Sequence, residues 1–243
     1  MSNFALRTQG LVKKFGDLVA VNQLKMELRQ GEIYGFLGPN GSGKTTAINC
    51  FMGILRPDAG EIEVLGYEIP KDRRIARQHI GLMPQEFGLY ADLTVIEHLY
   101  FFGELYGFSR KEIKSNADEL LDVFGLEEKR NERVINLSGG MKRRTSLCVA
   151  LIHHPLLILA DEPTVGVSPE LRMEMWEYFR KLQKENCTFL VTTHVFDEAM
   201  KVDRIGFISE GKLIEEGVPS NLIEKHGCSN LEEVFLKLEG VTA

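Results

Sequence analysis

No apolar run in the 243-residue chain approaches the roughly 20 residues that a membrane-spanning helix needs, so the chain is not expected to cross a bilayer by itself. Met1 to Gly10 holds a Phe and an Arg but no continuous apolar stretch of signal-peptide length, and secretion is not expected. Cysteine is scarce and scattered. Cys50, Cys148, Cys187 and Cys228 form no CxxC pair, which argues against a thiolate zinc site and a disulfide framework and points to a reducing cytosol. Positive charge is in deficit, with 29 Lys and Arg against 35 Asp and Glu for a net charge of -6, so no nucleic-acid partner is expected. There is no internal repeat and no low-complexity linker. What remains, 44% apolar and 26% charged, is an ordinary globular composition that fits one large domain or two lobes.

Strand and helix signals alternate as in an α/β protein with a mainly parallel core. Glu32 to Leu37 reads as a short apolar strand, followed after Gly38-Pro39-Asn40-Gly41 by a helix over Thr45 to Leu55, with Ile48, Phe51, Met52 and Leu55 at helical spacing. Gly60 to Tyr67 alternates as a half-exposed strand, and Ile80 to Pro84 is another. From Asp92 the texture turns helical. Thr94 with Glu97 and Ser109 with Glu112 have capping-box spacing, and Gly125 stands where a helix would end. Leu156 to Ala160 and Cys187 to Thr192 are continuous apolar runs, as expected of strands covered on both faces. Between them Ser168-Pro169 followed by Glu170 to Glu185 reads as N-cap, first-turn proline and helix body. Arg204 to Ser209 and Lys212 to Glu216 flank a hairpin at Glu210-Gly211, and Leu231, Val234, Phe235 and Leu238 mark a terminal amphipathic helix. The expected plan is a core lobe of residues 1–86 and 155–243 with a helical insertion at about 87–154.

Three stretches carry chemistry. Gly38-Pro39-Asn40-Gly41-Ser42-Gly43-Lys44-Thr45 matches GxxxxGK[ST] between a strand and a helix, the context in which glycine backbone amides converge on phosphate oxygens at a helix N-terminus. Lys44 would reach the β- and γ-phosphates, and Thr45 would offer its hydroxyl to magnesium. Asp161 and Glu162 end the apolar run from Leu156, where ligand sites of α/β proteins form. There Asp161 would hold the metal through water, and Glu162 would polarise an attacking water. Ser138-Gly139-Gly140 opens a helix from Met141 to Ile152 and makes a second anion-binding terminus in a chain with one P-loop.

With these stretches in place, the chain resembles the nucleotide-binding subunits of ATP-binding cassette (ABC) transporters. It shows a Walker A stretch from Gly38 to Thr46, Gln85 as the glutamine loop, the signature Leu137 to Met141, Walker B ending at Asp161-Glu162, and a switch His194 in Thr-Thr-His, in the family's order. The resemblance implies the P-loop NTPase fold with a mainly parallel core sheet, an antiparallel β subdomain and an inserted helical subdomain. It implies ATP and Mg2+ as ligands and two subunits packed head to tail, so that Ser138, Gly139 and Gly140 of one chain close over the ATP of the other. His194 would contact the γ-phosphate and order Glu162, and Lys44 would complete the catalytic set. Gln85 would bind magnesium or water, and Phe15 would stack on adenine. The absent membrane span then implies a separate transmembrane permease, with this chain peripheral on the cytoplasmic face, and the short C-terminal stretch looks like the exporter-type branch. One cassette is half of a composite site, so an isolated monomer is expected to be inactive.

Two positions depart from the family pattern: Met141 stands at a Gln of the signature, and Ser168 at the aspartate of the loop after Walker B. Serine caps a helix as well as aspartate does, so the departure touches communication between paired sites rather than the helix start. Seven of the 21 aromatic side chains (Phe87, Tyr90, Tyr100, Phe101, Phe102, Tyr106 and Phe108) lie within residues 87–108, directly after Gln85. Some are expected to build a helical core and others to line a groove for a helix of the membrane partner. Two other readings stay open: a cassette that holds ATP and regulates a complex with weak turnover, and a cassette of non-transport type.

Overall fold

The computed structural model describes residues 3–240; residues 1, 2 and 241–243 of the expected single domain lie outside the described residues. Two sheets stack in one α/β body. The first is antiparallel, in the order β2-β1-β4-β5, built from β1 (Phe4–Phe15), β2 (Leu18–Arg29), β4 (Ala59–Val64) and β5 (Tyr67–Ile69). The second runs β10-β9-β3-β8-β7-β6, with β3 (Ile33–Leu37), β6 (Ile80–Met83), β7 (Leu157–Asp161), β8 (Thr188–Thr193) and β9 (Arg204–Ser209) parallel and β10 (Lys212–Gly217) antiparallel at the edge. This is the expected fold class.

Alternation of side chains across the parallel strands divides the core in two. Tyr34, Phe36, Leu157, Leu159 and Leu190 face the antiparallel sheet and helix α1 (Lys44–Phe51). Ile33, Leu37, Ile158, Ala160, Phe189 and Val191 face the other way, toward a helical layer. That layer contains α3 (Val95–Leu105), α4 (Arg110–Val123), α5 (Gly139–Leu151) and α6 (Pro169–Lys184). The short α2 (Arg73–Ala76) and α7 (Phe196–Ala199), with α8 (Pro219–His226) and α9 (Leu231–Leu238), complete the body. In α4 the buried Ile113, Ala117, Leu120 and Leu121 recur at helical spacing, and in α6 Leu171, Met175, Tyr178 and Phe179 do the same.

Both capping boxes form. The Thr94 hydroxyl accepts from Glu97 N while the Glu97 carboxylate accepts from Thr94 N, and Ser109 with Glu112 repeats the arrangement. Ser168 caps α6 by accepting from Leu171 N, with Pro169 in its first turn, and Gly125 stops α4 at φ 58°.

Some expectations shift. Gly60 to Tyr67 is not one strand: Leu65 and Gly66 take positive φ and turn the chain back, giving the β4–β5 hairpin. The first helix ends at Phe51 rather than Leu55, because Gly53 takes the left-handed conformation. Glu32 stays outside β3, its carboxylate accepting from Arg29 N and pairing with Arg204. β1, β2 and α8 carry no clear signal. In β1 buried residues come in adjacent pairs, Ala5-Leu6 and Leu11-Val12, because register shifts against β2 break the two-residue period.

Candidate functional site

The P-loop leaves β3 at Gly38 and enters α1 at Lys44. At Gly43 the backbone has φ 103°, and a β-carbon there would sit 2.2 Å from the Ala20 carbonyl oxygen, so only glycine fits. No side chain caps α1, and its first amides open onto a cavity of about 600 Å³. Phe15, Leu18, Val19 and Ala20 line that cavity together with Asn40, Gly41, Gly43, Lys44, Thr45, Thr46, Gln85, Glu162, Glu210 and Gly211. Lys44 is buried, with its ammonium donating to the carbonyls of Gly38 (2.8 Å) and Pro39 (2.9 Å). Burial lowers its pKa, and the carboxylates of Glu162 and Asp161 oppose that shift. Ser42 Oγ is buried without a hydrogen-bond partner among the described residues. An orphan hydroxyl, an uncapped helix start and a cation hydrogen-bonded to backbone carbonyls together fit a polyanion with several oxygen acceptors, and a triphosphate is one.

Walker B reaches the cavity through Glu162. Asp161 ends β7 and accepts a 2.5 Å hydrogen bond from Thr192 Oγ1, which in turn accepts from Glu162 N at 2.9 Å. Glu162 then turns the chain at φ 50°, a left-handed conformation that costs a non-glycine residue on the order of 1–3 kcal/mol and is held by its neighbours. Its nearly buried carboxylate lies between two partners: Oε1 is 2.9 Å from His194 Nδ1, and Oε2 accepts from Gln85 Nε2 at 3.3 Å. A carboxylate facing Nδ1 places the ring proton there and leaves Nε2 for another partner. His194 does not itself line the cavity.

Ser138, Gly139 and Gly140 stand apart from the other site residues. They open α5, where Ser138 Oγ accepts from Met141 N at 3.3 Å; Ser138 and Gly139 are exposed, and none of the three lines the cavity. Met141 in place of Gln therefore leaves this helix start intact.

Arg143, one turn further along α5, is the residue that motif reading misses. Buried to 2% exposure, it donates to the carbonyls of Pro84 (3.0 Å), Gln85 (2.8 Å), Pro163 (3.0 Å), Asp161 (3.3 Å) and Glu162. Burial lowers its pKa, opposed by the carboxylates of Asp161 and Glu162. One guanidinium thus joins the glutamine loop, Walker B and the strained Glu162 turn. A charged residue inside a helix that soon turns small and apolar was the available signal.

Of the aromatic cluster, Phe87, Tyr90 and Phe101 are exposed, whereas Tyr100, Phe102 and Phe108 pack on the helical core. Tyr106 stacks on buried His153 at 3.6 Å. Tyr90 meets Phe101 edge-on at 5.5 Å, and its N–H donates to Nε2 of the buried His98.

A family model described as ABC transporter matches residues 21–165. The chain belongs to the ABC transporter family. Membership makes it a cassette ATPase subunit. It is 43% identical over 234 residues to the Nod factor export ATP-binding protein I of Bradyrhizobium diazoefficiens, covering 96% of this chain and 76% of that one. It is 38% identical over 240 residues to the linearmycin resistance ATP-binding protein LnrL of Bacillus subtilis, covering 95% and 77%. Among solved structures, an ATP-binding subunit of an ABC transporter superposes with TM-score 0.90 at 25% identity, covering 97% of the cassette and 99% of that chain. A dimeric cassette in a post-hydrolysis state bound to ADP and Pi superposes with TM-score 0.81 at 27% identity, covering 88% and 98%.

Proposed function

We propose that the cassette hydrolyses ATP at the P-loop cavity and powers export through a separate transmembrane subunit. The observation that carries this reading is the Glu162 carboxylate, held between His194 and Gln85 at the wall of that cavity. The triphosphate lies along Gly38 to Thr46, on backbone N–H groups including those of Asn40, Gly41 and Gly43, and Lys44 exchanges its two carbonyls for β- and γ-phosphate oxygens. Phe15, half exposed in the lining of the same cavity, stacks on adenine. Thr45 and Asp161, with Gln85, would hold Mg2+, which when bound neutralises phosphate charge. Glu162 takes a proton from the attacking water while the bond from the γ-phosphorus to ADP breaks. His194, whose Nδ1–H is committed to Glu162, offers Nε2 toward the γ-phosphate.

Ser138, Gly139 and Gly140 serve the partner's nucleotide in a head-to-tail dimer. Their absence from the lining of their own cavity supports this, as does the dimeric state of a similar solved cassette. Residues 1–86 and 155–243 act as the core lobe and 87–154 as the helical lobe of one domain. The exposed Phe87, Tyr90 and Phe101 receive a helix of the permease, which holds the cassette at the inner face of the membrane. The exporter assignment is supported by relatives named for Nod factor export and linearmycin resistance. Glu162→Gln keeps the shape of the side chain but removes the base. Turnover is expected to fall at least about 100-fold with ATP binding retained, and equal turnover would favour a regulatory cassette instead.

A further inference from the structure

The roles above leave one buried carboxylate without a task. Glu198, on α7 four residues past His194, is 2% exposed. Its Oε2 accepts from Thr164 Oγ1 at 2.7 Å and from Thr193 Oγ1 at 3.2 Å, and its Oε1 lies 3.2 Å from Arg172 Nε, an ion pair whose angle falls short of a hydrogen bond. These partners belong to two functional segments. Thr164 lies two residues beyond Glu162, at the head of the loop that ends at Ser168, and Arg172 sits in the first turn of α6, just past that loop's far end. Thr193 immediately precedes His194, and its hydroxyl also accepts from Val195 N at 3.0 Å, so it grips the backbone on both sides of the switch histidine.

A buried carboxylate is costly unless it is paired, and an apolar side chain of similar volume stabilises a core at least as well. A single carboxylate that spans both ends of the loop at 162–168 and the strand end bearing His194 is better explained by geometry than by stability. We propose that Glu198 is a positioning residue that locks the Glu162–Ser168 loop to the His194 strand end, so that carboxylate and histidine move into and out of register together. Ser168 replaces the residue that the family uses between subunits, while this link within the subunit is complete. The proposal rests on the ATPase reading.

The test compares steady-state ATP turnover of the full chain with Glu198→Gln, Thr164→Val and the double variant. Each single change is expected to lower kcat at least fivefold with KM for ATP within twofold. The double variant is expected to fall no further than the weaker single variant, because both cut one link. Losses that multiply in the double variant, a kcat within twofold of wild type, or a rise in KM that accounts for the whole effect would overturn the proposal. If Glu198→Gln does not fold, Thr164→Val decides alone, since it removes only a hydroxyl. With every variant assayed as the assembled dimer bound to its permease, a wild-type protein that turns over no faster than Glu162→Gln would instead refute the ATPase reading, so the two failures are distinct.

Discussion

Arg143 offers the sharpest quantitative test, because a single side chain there holds five carbonyls from two segments, 84–85 and 161–163. Three of its bonds, to Pro163, Asp161 and Glu162, are fully buried. A hydrogen bond to a charged group contributes about 1.5–3 kcal/mol, and a buried acceptor stripped of its donor keeps its desolvation penalty. The three do not add fully, since a cavity left by alanine admits water to some of the carbonyls. The net loss for Arg143→Ala is therefore about 3–5 kcal/mol, as for breaking other buried ionic clusters. At about 2–4 °C per kcal/mol for a chain of this size, the midpoint of thermal unfolding should fall by roughly 6–20 °C.

Arg143→Lys separates position from charge. Lysine keeps the cation but replaces the planar fork by one point donor, which cannot reach carbonyls on both the glutamine loop and the Glu162 turn. With the φ 50° turn at Glu162 less firmly held, kcat should fall about tenfold or more while the fold survives. Calorimetry and steady-state ATPase assays measure both effects. An Arg143→Lys protein with kcat within about twofold of wild type and a melting point within about 2 °C would refute the view that this guanidinium holds the catalytic turn.

Gly43→Ala places a β-carbon 2.2 Å from the Ala20 carbonyl at φ 103°, so the P-loop must open; ATP binding by isothermal titration should weaken at least tenfold, and unchanged affinity would contradict the geometry. Phe87→Ala or Tyr90→Ala should spare ATP binding while weakening co-purification with the membrane subunit, and unchanged co-purification would count against the docking surface. Burial pushes the pKa of His153 down to about 4, against hydrogen bonding to Ile80 O, so it is neutral in the fold while the unfolded chain takes up a proton below about 6.5. The associated stability is present above about pH 6.5 and is lost as pH falls toward 4, about 3 kcal/mol in all and about 2 by pH 5. Urea unfolding at pH 7.5 and 5 should show a smaller pH effect in His153→Gln than in wild type, and equal effects would sink this assignment.

Much of this was legible in the chain because certain roles admit few residue types. A backbone at φ 103° against a carbonyl requires glycine, and a helix start favours Ser168 or Thr94, so local chemistry identifies these positions from their neighbours alone. The β1–β2 hairpin was hidden because its register shifts move apolar residues off the two-residue period; only its pairing with β4 shows why Ala5 and Leu6 are both buried. Arg143 and Glu198 were hidden for a related reason. Neither is expected to touch nucleotide, and each gains meaning from partners distant in sequence: Arg143 from carbonyls at positions 84, 85 and 161–163, Glu198 from Thr164 and Arg172. The residues proposed to contact phosphate are readable as a motif because one ligand would supply their common geometry. The residues that hold those contacts in register take their geometry from the fold, and only coordinates bring their partners together. Substitutions at the first group should therefore act mainly on binding and chemistry, and those at the second on kcat and cooperative stability.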